Sequence, residues 1–211
     1  MHVYFVRHGE TLLNTKHVHQ TPSTPLSERG RTEALVVAET LRLTSPDLLI
    51  SSEYTRATQT ARIIGSRVGL PLVTNNLFYE IVRPSSLFEK SVFRPETFLY
   101  VILSVFKRKD PTWRYADAEN YTDISNRAQR SLTYLESLNG EHESIIVVSH
   151  TVFINVMVAY MCRNRILDVR DLLLTFLHIK RMKNCDVIHV EYVGSKTPNT
   201  CRWRVVHDTP A

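Results

Sequence analysis

Short apolar segments alternate with segments of helical periodicity along most of the chain, and this alternation is what most constrains the fold. Strand-like apolar runs occupy residues 2–6, 48–50, 70–73 and 145–149. Helical patterns occupy residues 26–43, 54–68, 123–138 and 152–162. Strands that alternate with helices in this way predict a three-layer α/β/α fold with a mostly parallel central sheet.

One long segment interrupts the alternation of strands and helices, and the chain closes with two consecutive strands. Residues 80–121 are rich in aromatic, proline and basic residues, and they predict an inserted cap over the carboxyl ends of the strands. A further helix is predicted at residues 168–179. The alternating patterns at residues 187–192 and 202–206 predict a closing β-pair with its turn at residues 194–199. The length of 211 residues predicts a single domain, residues 1–211, that carries the insertion.

The composition narrows the possible functions without selecting one. Hydrophobic residues make up 43% of the sequence and charged residues 22%, which is typical of a globular protein and excludes a disordered or collagen-like chain. The formal net charge of +5 suits a nucleic acid, an anionic membrane or a phosphorylated small molecule as partner. The apolar stretch at residues 145–162 contains Ser149, His150 and Asn155, which favours a buried strand and helix over a membrane span.

The three cysteines are widely spaced, at Cys162, Cys185 and Cys201. They form neither a disulfide framework nor a paired metal-binding motif. Reduced, mostly buried thiols are therefore expected. Together with the lack of a secretion-signal pattern in the first residues, they predict a cytoplasmic protein.

Charged and imidazole side chains follow the predicted strands, at the ends where open α/β sheets bind ligands. In chain order they are Arg7 and His8, Arg56, Glu80 and His150. Each alone has an ordinary structural explanation, such as a surface ion pair or a hydrogen-bonded histidine. Together they supply guanidinium groups, which match phosphate oxygens, and imidazole, which serves as nucleophile or donor. They predict a phosphate site at this edge of the sheet.

Four segments around these residues carry a recognisable pattern in a fixed order. They are residues 7–11 (RHGET), 25–27 (PLS), 51–61 (SSEYTRATQTA) and 147–150 (VVSH). These segments, with Asn14 and Gly30, resemble the signatures of the histidine phosphatase superfamily, in its phosphoglycerate mutase-like branch. The resemblance covers the chain from Val3 to about Met161 and is closest to the phosphatase-type members.

The resemblance implies a role for each matching residue. His8 is the expected nucleophile, which would attack phosphorus and form a phosphohistidine. Arg7, Arg56 and His150 are expected to bind the phosphoryl oxygens and to stabilise charge in the transition state. Asn14 stands at a position that often contacts the phosphate.

Two more positions bear on the reaction and its substrate. Glu80 is the predicted general acid and base because it follows the third strand, and Glu89 is its rival. Arg83 is a predicted substrate contact in the insertion. Thr151 stands where the family usually has glycine, so it caps a helix, contacts the phosphate or narrows the pocket.

No metal and no cofactor are expected for this reaction. His17 and His19 lie close together, and imidazole is a common metal ligand. No cysteine or carboxylate stands near them at ligand spacing. A solvated loop is therefore predicted for both histidines.

Other functions stay open at this point. A phosphoglycerate mutase would return the phosphate to its intermediate, but dedicated mutases carry a Gly-x-Trp-Glu-Gly segment near the acid that residues 79–84 lack. A non-catalytic phospholigand-binding protein would be expected to lose His8 or Glu80, and both are present. A phosphorylated small molecule is the expected partner, with no nucleic acid and no membrane, and the oligomeric state stays open.

Overall fold

The computed structural model describes residues 1–161, 182–194 and 201–209, and its centre is a six-stranded sheet in the order β3-β2-β4-β1-β5-β6. The strands are β1 His2–Arg7, β2 Leu48–Ser51, β3 Leu72–Thr74, β4 Ser144–Ser149, β5 Val187–Tyr192 and β6 Trp203–Thr209. The first four strands run parallel to one another, whereas β5 pairs antiparallel with both β1 and β6. The predicted mostly parallel sheet is confirmed.

Six α-helices lie in the described residues. They are α1 Leu12–Thr15, α2 Glu28–Arg42, α3 Thr55–Val68, α4 Pro95–Phe106, α5 Tyr121–Ser137 and α6 Thr151–Tyr160. The sequence patterns predict α2, α3, α5 and α6 to within a few residues, but they predict neither α1 nor α4. The helix predicted at residues 168–179 and most of the turn predicted at 194–199 lie outside the described residues. None of the described helices is long and apolar enough to cross a membrane.

Two apolar cores flank the sheet and place it between two layers of helices. On one face, α2 and α3 pack against sheet residues such as Val6 and Ile146. On the other face, α5 and α6 pack against residues such as Phe5 and Val147. Neighbouring strand residues face opposite cores because side chains alternate along a strand. Since β4 is buried along its whole length, its sequence is a nearly continuous apolar run.

The carboxyl ends of β1, β4 and β2 meet at one edge of the sheet. β4 lies between the other two strands, with Arg7 of β1 opposite Ser149. The amide of His8 donates to the carbonyl of Ser149 at 3.1 Å, and the amide of Ser52 donates to the carbonyl of Val148 at 2.9 Å. The residues that follow the three strands are therefore held side by side.

The insertion, residues 80–121, lies against the loop that follows β1. It contains a short 3-10 turn at Ser85–Leu87, helix α4, and a small apolar cluster of its own formed by Leu87, Tyr100 and Ala118. Nε2 of His19, in the loop after β1, lies 3.0 Å from Oγ1 of Thr97 in α4. This contact places the insertion at the same edge of the sheet as the predicted phosphate site.

The two described cysteines differ in state. Cys185 is a buried free thiol, and burial raises its pKa to about 12. Cys201 forms a disulfide, so the prediction of reduced thiols is wrong at this position. Its sulfur lies 3.8 Å from the carbonyl oxygen of Met161, a contact between distant parts of the chain that residue spacing does not reveal.

The backbone after His8 passes so close to the start of α2 that both contact positions require glycine. A Cβ atom on Gly30 would lie 2.1 Å from the carbonyl oxygen of Glu10, and one on Gly9 would lie 2.4 Å from the carbonyl oxygen of Gly30. Because close-packed backbone cannot yield by this amount without moving the loop, we expect Gly30→Ala to lower the free energy of unfolding by about 2–4 kcal/mol in urea denaturation. Thr40→Ala, at an exposed position of the same helix, is the control, and equal stability of the two variants would contradict this contact.

Candidate active site

His8 lies directly after β1 and is almost fully buried, with 3% of its surface exposed. Its Nδ1 lies 2.7 Å from the carbonyl oxygen of Gly9, and its Nε2 lies 3.2 Å from Nε of Arg56. A carbonyl oxygen only accepts, so Nδ1 carries the ring proton and Nε2 accepts from the guanidinium. Burial, together with the charges of Arg56 and Arg7, lowers the pKa of His8 well below its usual value. The neutral ring therefore presents the Nε2 lone pair, which is the nucleophilic form.

Arg56 binds this face of His8 from the first turn of α3. Its Nη1 donates to the carbonyl of Thr21 at 2.9 Å, and its Cζ lies 5.1 Å from the centroid of the Tyr54 ring. Burial lowers the pKa of Arg56 to about 10, an effect that the carboxylate of Glu80 opposes. The guanidinium is thus held on both sides and stays charged at neutral pH.

Arg7 and His150 each present a buried nitrogen that no atom of the described residues pairs with. Nη1 of Arg7 donates to the carbonyl of Met182, which leaves its Nε free. Nε2 of His150 lies 2.8 Å from Oγ of Ser52, which leaves its Nδ1 free. The rings of His8 and His150 lie 5.2 Å apart between centroids. Two polar nitrogens beside the predicted nucleophile are thus available to a bound group.

Glu80 is buried between the turn after β3 and the start of α6, with 8% of its surface exposed. Its Oε1 accepts from the amide of Phe153 at 3.1 Å, and its Oε2 accepts from the amide of Val152 at 3.4 Å. These amides belong to the first turn of α6, where they lack partners within the helix. The carboxylate is therefore oriented beside His150, the residue that begins this helix.

A small cleft of about 80 Å³ opens beside these groups. Its walls come from the loop after β1, the start of α3 and the insertion, and they consist of Gln20, Pro22, Tyr54, Arg56, Glu80, Ile81, Val82, Arg83 and Phe88. Arg83 thus shares the cleft with Arg56 and Glu80. The rival carboxylate Glu89 is exposed and lies outside this lining.

A family model described as the histidine phosphatase superfamily, branch 1, matches residues 3–197. This range includes every residue of the predicted site. The chain belongs to the histidine phosphatase superfamily.

Solved structures share the fold of this superfamily member over nearly its whole length. A mycobacterial glucosyl-3-phosphoglycerate phosphatase complexed with VO3 has a TM-score of 0.74 and 23% identity, and the match covers 98% of this chain and 97% of that one. A putative alpha-ribazole-5'-P phosphatase from Escherichia coli has a TM-score of 0.75 and 20% identity, with 97% and 95% covered. At these identities the likeness shows the fold alone.

A curated relative matches a shorter part of the histidine phosphatase chain. A probable phosphoglycerate mutase from Yersinia pestis is 39% identical over 82 residues. The match covers 38% of this chain and 38% of the length of the relative. It supports the mutase-like branch of the superfamily for that part of the chain, and the activity of the whole protein is a separate question.

Asn14 and Thr151, two predicted phosphate contacts, lie close to the histidines in the chain. Oδ1 of Asn14 accepts from the amide of Thr11 at 3.1 Å, a bond that caps α1 and stabilises the loop after His8. Thr151 is the first residue of α6 and is 9% exposed. It is not the cap of this helix, because His150 occupies the N-cap position. The other two predicted roles of Thr151, contact with the phosphate and narrowing of the pocket, stay predictions.

Three residues outside the predicted set of site residues also shape the site. Ser52 contacts His150 as described above, and the ring of Tyr54 lies edge-on to the His150 ring with centroids 5.2 Å apart. Both lie within the matching segment at residues 51–61, so their location was a usable signal. Arg127 lies on α5, far from any matching segment, and its guanidinium packs against Phe153 at 3.9 Å. No sequence signal marks it.

The two loop histidines behave differently from each other. His17 is exposed, whereas His19 is buried beneath α4, so the prediction of a solvated loop is wrong for His19. Burial lowers the pKa of His19 to about 4, and its ring is neutral at physiological pH. The described residues contain no group of three or more side chains that could hold a metal ion.

The buried histidines predict that stability falls in mild acid. Burial is the main reason that the pKa values of His8 and His150 lie well below 6.5, their usual value. The unfolded state therefore binds more protons below about pH 6.5, and folding weakens as the pH falls. Below pH 6.5 we expect each histidine to reduce the free energy of unfolding by up to about 1.4 kcal/mol per pH unit, with only a small decrease between pH 7.5 and 6.5. Urea denaturation at pH 7.5, 6.5 and 5.5 measures this. His150→Asn is expected to flatten this slope, and constant stability over the range would contradict the prediction.

Proposed function

We propose that this protein is a phosphatase that hydrolyses a phosphate monoester through a phosphohistidine on His8. The observation that carries the proposal is the state of His8, whose unprotonated Nε2 faces Arg56 in a buried site. The free nitrogens of Arg7 and His150 lie beside it and suit an anion. A neutral imidazole among cationic groups is the arrangement needed for attack on a phosphoryl group.

In the first step, Nε2 of His8 forms a bond to phosphorus while the bond from phosphorus to the ester oxygen breaks. Glu80 donates a proton to the leaving oxygen and becomes a carboxylate. The Nδ1 proton of His8 stays bonded to the carbonyl of Gly9, which stabilises the positive charge that the ring acquires. The products of this step are the free alcohol and the phosphoenzyme.

In the second step, a water molecule attacks phosphorus and the bond from Nε2 to phosphorus breaks. Glu80 accepts the proton of the water, which restores the protonated acid for the next cycle. Arg7, Arg56 and His150 donate hydrogen bonds to the phosphoryl oxygens in both transition states. In well-studied enzymes one such donor contributes about 10²–10³-fold to kcat. One water is consumed, and one alcohol and one inorganic phosphate are released.

The cleft lining bears on the substrate. Arg83 adds a second guanidinium beside Arg56, and Tyr54 and Phe88 add aromatic surface. These groups suit a phosphate monoester with a second anionic group and an apolar or planar portion, held at the phosphate by Asn14 and Thr151 as well. A screen of sugar, nucleotide, lipid and peptide phosphate monoesters tests this, with released inorganic phosphate as the readout. Activity confined to small phosphate monoesters whose alcohol portion carries no charge would contradict the assigned role of Arg83.

A mutase-type phosphotransferase is the second candidate, and the relative described as a probable phosphoglycerate mutase favours it. Against it, residues 79–84 lack the tryptophan-containing segment of dedicated mutases. The two activities are distinguished by labelling the phosphoryl group of the phosphoenzyme and then incubating it with unlabelled phosphoglycerate. A phosphatase releases the label as inorganic phosphate, whereas a mutase transfers it to phosphoglycerate.

A further inference from the structure

Arg127 and Glu119 form a buried ion pair behind the proposed acid. Nη2 of Arg127 lies 2.7 Å from Oε2 of Glu119, and its Nε lies 2.9 Å from Oε1, so the two groups pair through two parallel bonds. Their side chains are only 7% and 11% exposed, whereas every other ion pair recorded between described residues has a partner that is at least 40% exposed. Burying two charges is costly, and such pairs add little net stability. The role of this pair is therefore expected to lie in the other groups that it binds.

The same pair also binds the backbone on both sides of Glu80. Nη1 of Arg127 donates to the carbonyl of Tyr79 at 2.7 Å. Oε2 of Glu119 accepts from the amide of Val82 at 2.9 Å. The carbonyl just before Glu80 and an amide two residues after it are thus held by one ion pair.

The guanidinium of Arg127 also contacts the helix to which Glu80 is bonded. Its Cζ lies 3.8 Å from the centroid of the Tyr79 ring and 3.9 Å from that of the Phe153 ring. The amide of Phe153 is the donor to Oε1 of Glu80. Arg127 therefore packs between the segment that carries Glu80 and the helix turn that orients its carboxylate.

We propose that the Arg127–Glu119 ion pair positions Glu80 for proton transfer to the leaving group, an inference that rests on the function proposed above. Arg127 lies behind the backbone of Glu80, so it acts as a positioning residue. Loss of its planar fork would leave the Tyr79 carbonyl without this donor and let the Glu80 segment shift. A displacement of about 1 Å in a catalytic group typically costs about 10²-fold in rate. Attack by His8 would be affected much less, because neither residue of the pair is bonded to it.

Arg127→Lys is the test, because lysine keeps the charge but cannot reproduce the two-pronged bond or the stacking. We expect kcat/KM for an alkyl phosphate to fall by about 10–100-fold and that for an aryl phosphate by about threefold or less. The reason is that a good leaving group needs little protonation. Glu119→Gln removes the charge at nearly constant volume. Like Arg127→Lys, it is expected to lower kcat/KM more for the alkyl phosphate than for the aryl phosphate.

A double variant separates positioning from general damage to the fold. If Arg127 acts through Glu80, adding Arg127→Lys to Glu80→Gln produces no further alkyl-selective loss. Additive losses, or equal losses on alkyl and aryl phosphates, would overturn the inference. Thermal unfolding of each variant is measured in parallel, and if Arg127→Lys does not fold, Glu119→Gln alone decides. This variant is expected to fold because the backbone amide of residue 119 still donates to the carbonyl of Val82, a bond of 3.0 Å in the wild-type protein.

The matched control is Arg114→Lys. Arg114 also forms a two-pronged bond to a carboxylate of α5, that of Asp123, but its side chain is 50% exposed and its recorded hydrogen bonds go to Asp123 rather than to residues 79–82. Arg114→Lys is expected to leave kcat/KM unchanged for both the alkyl and the aryl phosphate. If Glu80→Gln shows no leaving-group dependence, the assignment of the acid fails and this inference falls with it. If Glu80→Gln is selective and Arg127→Lys is not, only the positioning role is overturned.

Discussion

Replacement of His8 by alanine is expected to lower kcat/KM for an aryl phosphate by at least about 10³-fold. The proposed pathway passes through a bond between Nε2 and phosphorus, which alanine cannot form. Arg7, Arg56 and His150 remain in place in this variant, so it is expected still to bind inorganic phosphate. The loss would therefore appear in the chemical step rather than in binding.

The measurement pairs turnover with direct detection of the intermediate. Wild-type protein mixed with labelled substrate and quenched is expected to carry acid-labile, base-stable phosphate, and His8→Ala none. His17→Asn is the control, because His17 is exposed in the same loop and has a φ of 51°, which asparagine tolerates. Unchanged turnover in a folded His8→Ala protein would refute the phosphohistidine mechanism.

Glu80→Gln is expected to slow alkyl phosphates by about 10²–10³-fold in kcat/KM and aryl phosphates by about tenfold or less. An alkoxide leaves poorly unless it is protonated, whereas a nitrophenolate leaves without help. Because kcat/KM reports the steps up to formation of the phosphoenzyme, the comparison isolates proton donation from later hydrolysis. Glutamine is nearly the same size and keeps an oxygen that can accept from the amide of Phe153.

Two controls isolate the chemical role of Glu80. Glu89→Gln changes an exposed carboxylate of the same insertion and is expected to leave both rates unchanged. Since Glu80 also bonds amides at the start of α6, its variant is expected to lose about 1 kcal/mol of stability, which urea denaturation measures. Equal losses on both classes of substrate would assign proton transfer to another group.

Much of the fold could be predicted because periodicity is a local property. The fully buried β4 reads as an apolar run, and the buried face of α2 repeats at helical spacing, so both are visible in short windows of sequence. The short helix α1 has no buried residue, and its capping by Thr11 and Asn14 is what defines it. Helix α4 contains no basic residue, and apart from Ser104 its residues 98–106 are all apolar or aromatic, so no helical spacing of apolar residues stands out.

The site was predicted unevenly for a similar reason. His8, Arg56 and His150 lie in contiguous matching segments, so their convergence followed from the rule for strand ends. Glu80 was preferred to Glu89 because it follows the third strand, but its burial against the start of α6 depends on residues some 70 positions away and is visible only in the packed structure. His19 was expected in solvent because its cover, helix α4, is some 80 residues away in the chain.

The sequence by itself determined the chemistry that is available: a histidine after the first strand, arginines and a second histidine after its neighbours, and a glycine where two backbones meet. Tertiary structure decided which atoms of these groups are free to act. The tautomer of His8 depends on the carbonyl of Gly9, and the free nitrogen of His150 depends on its contact with Ser52. The carbonyl just before Glu80 accepts a hydrogen bond from Arg127, which is 47 residues away from Glu80 in the chain. Hydrogen-bond partners and burial are properties of the packed molecule, so no local pattern encodes them.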